Sequence, residues 1–338
     1  MECWRQITER LTLLPSTALR KAFVEHVHVP LLADYCSRLL DEVRSWRRGR
    51  QGSGDDTRAA HYRLGCAVHN SANLAAASLR GWGEEMFFLG LSAASSGGLG
   101  TGAAAALARA SAEAAASVTF FEVDRPGSAE EWRGCAKTMV SSLADAIIDE
   151  VTAPLDVYLA ASISQGLFWV PPEAEGQAEA VSVELLQLLS DLGATLRQCE
   201  AELADRAWSA LRRAVARQLD GLVFEQMLCE LHCTRAGLEQ LQCDLSALFG
   251  VFDASPSSAG RQRAAGGGAS LFRRSSDTLA LLRLPAAGLE SLQSSLWPDE
   301  AGSEVKESAM EALGLAGVKY LDTEDAKLTH GAWPRVYQ

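Results

Sequence analysis

From Leu238 onward, apolar residues fall at gaps of 3, 4, 3 and 4: Leu238, Leu241, Leu245, Leu248 and Phe252. Gaps of three and four bring side chains onto one stripe of a helix. The spacing therefore predicts a helix that packs this stripe on other helices. The stretch Gln218–Phe252 keeps that character on both sides of Gly237, with polar residues held at set places inside it.

Similar stripes run through the rest of the chain. Ser16, after Pro15, is placed to cap a first helix. A second is expected to begin at Pro30, whose missing N–H costs nothing in a first turn, with Leu32, Tyr35, Leu39, Val43 and Trp46 facing inward. A long helix is predicted from Thr57 to Leu91, with Leu64, Val68, Ala72, Ala75, Leu79, Trp82 and Met86 on its core side. Ser92–Gly102 reads as a loop, followed by an alanine-rich helix and a break at Arg125-Pro126-Gly127. Ser128, three residues before Glu131, forms a capping-box pattern. It opens a helix carrying Met139, Leu143, Ile147 and Val151 on one face, which Pro154 should end or kink. Two more helices carry Leu189, Leu192, Leu196, Cys199 and Leu203, then Leu211, Val215, Leu219 and Leu222. Shorter helices are expected over 271–284, 286–296 and 304–314.

No segment alternates as a strand would, and no repeat emerges. The pattern predicts an all-α fold of antiparallel helix bundles. Pro171–Gly176 (PPEAEG) is the best linker. It divides a helical bundle domain, 1–170, from a C-terminal helical bundle domain, 177–338, which contains a disordered loop at 253–270.

Composition sharpens this picture in three ways. The chain has a net charge of -12, which argues against nucleic acid as a partner. Its eight cysteines include no Cys-x-x-Cys pair and sit mostly among apolar helical residues. With no secretory signal pattern at the start, they point to a reducing, cytoplasmic setting. The longest weakly polar run, Gly97–Phe121, carries Arg109 and Glu113 and falls short of the ~20 strongly apolar residues a membrane span needs. Membrane contact is then expected to be peripheral or indirect.

Candidate chemistry is thin. Cys229, His232, Cys233 and Cys243 fit no standard zinc spacing and read as packing residues. His26 and His28 alternate before a helix without specifying a site. No Gly-x-Ser-x-Gly elbow occurs, and Gly97–Gly102 lacks the strand and the Lys-Ser/Thr ending of a phosphate loop. Arg44, Arg47, Arg48 and Arg50, with Trp46, make one basic patch. It is a candidate lipid contact, although a helix C-terminus explains four arginines more simply. Catalytic, cofactor and metal residues are thus expected to be absent, as is a small-molecule substrate.

The chain resembles a known family. Gln218–Phe252 is similar to the C-terminal signature of the RINT/Tip-type subunit of the Dsl (NRZ) vesicle-tethering complex. In that family a leucine-aspartate-rich helix leads through a His- and Gly-containing turn into a Gln-Leu-x-x-Asp-Leu/Met helix ending in Leu-Phe-x-x-Phe. The matching residues are Leu219, Asp220, His232, Gly237, Gln240, Leu241, Asp244, Leu245, Leu248, Phe249 and Phe252. Thr234 stands where the family tends to have asparagine, and Ala236 where it tends to have glycine. Val27–Val43, His69–Leu91 and Ala309–Pro334 also resemble family segments, in the same order.

The resemblance implies an elongated stack of antiparallel helix bundles of the multisubunit-tethering (CATCHR) type. It implies a non-enzymatic subunit on the cytoplasmic face of the endoplasmic reticulum (ER), acting in Golgi-to-ER retrograde transport. The expected partners are ER SNAREs and other tethering-complex subunits. The competing reading is an unrelated α-helical scaffold or adaptor.

Overall fold

The computed structural model describes residues 2–48, 55–84, 127–164, 180–229, 234–253 and 270–285. It also describes positions 287, 288, 292, 313, 314, 318, 321, 325 and 326. Among the described residues there is no strand, and the fold is all-α. The elements are α1 (Glu2–Leu11), α2 (Thr17–Phe23), α3 (Val29–Arg48), α4 (Asp55–Glu84), α5 (Ala129–Ser164), α6 (Val183–Glu202), α7 (Asp205–Leu222), α8 (Arg235–Val251) and α9 (Arg273–Leu282). Two π-helical turns, Val24–His28 and Val223–Leu228, continue α2 into α3 and extend α7. The chain forms two compact units, Met1–Leu143 with Glu202–Ala204, and Ala144–Ala201 with Asp205–Gln338. The linker expected at 171–176 lies outside the described residues. So do the Ser92–Gly102 loop, the alanine-rich helix and all but the two ends of the 253–270 loop.

In the first unit the predicted caps form. The Ser16 hydroxyl accepts from the Leu19 N–H at 3.2 Å. The Ser128 hydroxyl accepts from the Glu131 N–H at 3.3 Å, while the Glu131 carboxylate takes the N–H of Gly127. Gly127 has a φ of +79°, and a Cβ there would lie 2.8 Å from the Ala33 backbone nitrogen. Only glycine meets both conditions, and the chain can therefore turn into α5 directly against α3.

Pro30 does not start a separate helix. It follows the first π-turn, in which the Val29 N–H bonds the Val24 carbonyl five residues back. The wider turn comes just before a ring that would otherwise crowd the His26 carbonyl, and the helix continues through. The expected faces differ at single positions. On α3 the buried residue is Cys36, whereas Tyr35 is 44% exposed. On α4 it is Tyr62 and Cys66, with Leu64 at 49%. Small residues on α4 let its neighbours approach: a Cβ on Gly65 would lie 2.9 Å from both Leu143 Cδ2 and Met139 Cε.

Helix α5 buries Met139, Leu143, Ile147 and Val151 as its periodicity predicts. It runs on past Pro154 to Ser164, so of the two expected outcomes, an end or a kink, the proline does not end it. An interior proline costs about 3 kcal/mol. Leu155 and Tyr158, both buried beyond it, offset that at about 1.5–3 kcal/mol for each large side chain.

In the second unit the core is built by Leu185, Leu188, Leu192 and Leu196 of α6 and Leu211, Val215 and Leu219 of α7. Leu241, Leu245 and Leu248 of α8 join them. The second π-turn adds a residue to the helix, and both Val223–Phe224 and Met227–Leu228 come to face inward. Helix α9 packs on α7 and on this turn.

Candidate functional site

The signature residues converge on two buried carboxylates, each of which holds the start of a different helix. Asp244, on α8, is completely buried. Its Oδ2 accepts from Tyr158 Oη (2.7 Å) and Ser182 Oγ (2.6 Å). Its Oδ1 accepts from the Ser182 N–H (2.7 Å) and Gln240 Nε2 (3.1 Å). Ser182 immediately precedes α6, where the helix dipole favours a negative charge. Gln240 also donates to the Ala180 carbonyl at 3.0 Å. The helical i, i+4 spacing of Gln240 and Asp244 sets both side chains on the chain segment that enters α6.

Asp220, at the end of α7, does the same for α9. The residue before α9 is Phe272, whose side chain has no acceptor to offer as a cap. Asp220 supplies one from another helix. Its carboxylate accepts from the N–H groups of Arg274 (3.1 Å) and Ser275 (2.9 Å) and from Ser275 Oγ (2.6 Å). Those two amides are the ones an N-cap side chain normally satisfies. Phe272 is fixed in turn by the aromatic end of the signature. It stacks on Phe249 at 4.3 Å between centroids and meets Phe252 edge-on at 5.0 Å.

The remaining signature residues serve the core or a cap. Leu219, Leu241, Leu245 and Leu248 are buried. The Gly237 N–H donates to the Thr234 hydroxyl at 3.2 Å, so Thr234 caps α8. Threonine and asparagine are both favoured N-caps, which explains how this departure from the family pattern is tolerated. His232 lies outside the described residues.

A second polar group surrounds Arg274, which the sequence reading did not single out. Its guanidinium lies 4.1 Å from the centre of the Phe224 ring. It donates to both oxygens of Asp325, from Nη2 at 2.6 Å and Nε at 3.2 Å. Burial alone would lower the Arg274 pKa, but the bond to Asp325 and the charges of Asp325, Glu225 and Asp220 outweigh it and raise it. The guanidinium stays charged. Nearby, Asp277 accepts from the Leu321 N–H at 3.2 Å.

In the first unit, Arg44, Arg47 and Arg48 are exposed at the end of α3, and Arg50 lies outside the described residues. Arg44 pairs with Asp41 at 2.8 Å, and Arg48 donates to the Arg44 carbonyl at 3.3 Å. Trp46 does not belong to that surface. It is buried, stacks on His61 at 4.2 Å and donates to the His61 carbonyl at 2.7 Å. His69 and Asn70 make long-range bonds, to the Ala136 and Glu202 carbonyls respectively.

None of these groups is arranged as a reaction centre. Burial, then Glu131 and Cys135, push the Cys36 thiol up to about 12, and burial with Glu131 raises Cys135. Such thiols stay protonated and are poor nucleophiles. His28 is buried, which lowers its pKa to about 4. Among the described residues, no group of three or more His, Cys, Asp or Glu is placed to hold a metal. Cys229 and Cys243 are half-buried, while His232 and Cys233 lie outside the described residues. Among the described residues, no helix is long and apolar enough to cross a membrane.

Fold and site together define an all-α protein whose ordered polar residues hold helices in register. The sequence matches the RINT-1/TIP-1 family over residues 2–329, and the chain belongs to that family. No solved structure matches it.

Proposed function

We propose that this chain is a non-enzymatic subunit of the Dsl (NRZ) vesicle-tethering complex, with the bundle architecture of the CATCHR tethers. In this reading it lies peripherally at the ER, binds ER SNAREs and other tether subunits, and captures Golgi-derived vesicles in retrograde transport. The observation that carries it is the family match across residues 2–329. The clasp geometry supports it physically. Asp220, Asp244 and Gln240 spend their hydrogen bonds on helix starts, which suits a protein that works by presenting surfaces at fixed positions. Holding a SNARE and a vesicle within reach raises their effective concentration without new chemistry. The signature residues act by shaping the contact surface rather than by touching the partner. The arginines of α3 serve its C-terminus, where Arg48 already bonds a terminal carbonyl.

Affinity purification of the tagged full-length chain, with mass spectrometry of what it retains, tests this reading. ER SNAREs and tether subunits should be enriched over a helical control protein. A chain that enriches neither would overturn it.

A further inference from the structure

Helix α7 carries Arg206, Arg213 and Arg217, all of them exposed. Gaps of seven and four keep the three within about 40° of one another around a helix of ~3.6 residues per turn. They form one line about 17 Å long at ~1.5 Å per residue. Among the described residues, no side chain of the three makes a hydrogen bond or an ion pair. Arg38, Arg44 and Arg133, by contrast, each pair with a carboxylate three or four positions away on their own helix. On α7 the one carboxylate so placed is Asp220, three after Arg217, and it is buried and bonded to the start of α9. The line is therefore not neutralised from within its own helix, on a chain whose net charge is -12.

We propose that this line is a docking surface for an acidic helix of a partner protein, one whose carboxylates recur at gaps of seven and four along a single stripe. Charge complementarity carries the assignment. A chain of net negative charge repels an acidic partner on approach, so an unneutralised positive line decides where that partner lands. Every basic residue of α7 is an arginine, and a guanidinium takes both oxygens of a carboxylate where a lysine ammonium acts as a point charge. A membrane surface fits less well. A helix that lies on lipid presents large apolar side chains beside its cations. On α7 Trp208, Leu211, Val215 and Leu219 are buried and Leu222 is half-buried, so the arginines have no exposed apolar companion. The inference rests on the reading of this chain as a subunit that acts through protein contacts, and it gives one of those contacts a face.

The probe is a labelled alanine-glutamine helix bearing three glutamates at gaps of seven and four. It is titrated against the full-length chain at low ionic strength, where surface charges are least screened, while anisotropy is followed. A control peptide carries three glutamates spread around the helix. The aligned peptide should bind about fivefold more tightly than the control. Changing all three arginines to glutamine should weaken its binding about tenfold, and changing them to lysine should restore only part of it. If the triple glutamine variant loses helical circular dichroism, Arg213→Gln alone replaces it, with a loss of about threefold expected. Vesicles of phosphatidylcholine and phosphatidylserine, floated with the same chains, should carry none of them up. Equal binding of the two peptides, no binding of either, or unchanged binding to the glutamine variant would each overturn the proposal. Vesicle binding that depends on the three arginines would overturn it too, and would assign the line to lipid. Any of these results with SNAREs and tether subunits still enriched on purification strikes the docking line and leaves the proposed function standing.

Discussion

Replacing Asp244 by alanine takes away the acceptor shared by Tyr158, Ser182 and Gln240. Three of the four donors that lose it, the Tyr158 hydroxyl and the N–H and hydroxyl of Ser182, are on buried residues. A buried donor left without a partner costs about 1–3 kcal/mol. The N-terminus of α6 also loses a negative charge, at about 0.3–1 kcal/mol. Together these give a loss of about 4 kcal/mol, within the ~3–5 kcal/mol observed when one side of a buried charged network is removed. That is a large share of a typical domain stability of ~5–15 kcal/mol. Tyr158→Phe removes one donor and leaves the carboxylate three others, so it should cost only about 1 kcal/mol. The double variant should then be less destabilised than the sum of the singles by about 0.5–3 kcal/mol. Urea unfolding followed by far-ultraviolet circular dichroism reads the totals. Hydrogen exchange at the first amides of α6, Leu185 among them, reads the local effect. A loss below about 1 kcal/mol for Asp244→Ala, or strict additivity with Tyr158→Phe, would refute the argument that this carboxylate organises the start of α6.

Asp220→Ala should destabilise by about 2–4 kcal/mol and expose the Arg274 and Ser275 amides to exchange, while α6 amides keep their protection. Gly127→Ala forces a side chain into a left-handed φ and against the Ala33 backbone, so a loss of at least about 2 kcal/mol and a lower melting temperature are expected; unchanged melting would contradict the turn geometry. His28 takes up a proton near its ordinary 6.5 when unfolded but only near about 4 when folded. The unfolded state therefore binds more protons between those values, and stability falls as pH drops from about 6.5 through about 4, by about 3 kcal/mol at most. Melts of the native chain and of His28→Gln across that window should diverge, and parallel curves would refute the assignment.

Features decided within one turn of chain were legible in the sequence. Ser16, Ser128 and Glu131 sit where capping patterns put them, and the Met139–Val151 stripe of α5 is buried as its spacing requires. What periodicity missed depends on register or distance. Gaps of three and four both keep to one stripe, so the residue after Leu32 could be Tyr35 or Cys36, and packing against the neighbouring helices selects Cys36. Pro154 breaks a local rule, but the tertiary burial of Leu155 and Tyr158 overrides it. Asp220 and Asp244 could be named as members of a motif, yet nothing near them says what they hold. Their partners stand 54 to 86 residues away in sequence, at Arg274, Ser275, Ser182 and Tyr158. Phe272 offered the one local hint, as a helix start lacking a capping side chain of its own.

A cap borrowed from so far along the chain has a consequence for synthesis. Ser182 leaves the ribosome 62 residues ahead of Asp244. At ~5–20 residues per second, the leading end of α6 waits about 3–12 seconds for its anion. The order is reversed for α9, whose anion at Asp220 has already emerged when Arg274 and Ser275 arrive. Translation thus delivers one clasp with its acceptor last and the other with its acceptor first. A pause between codons 182 and 244 would lengthen the interval in which α6 is most open to chaperones and to misassembly.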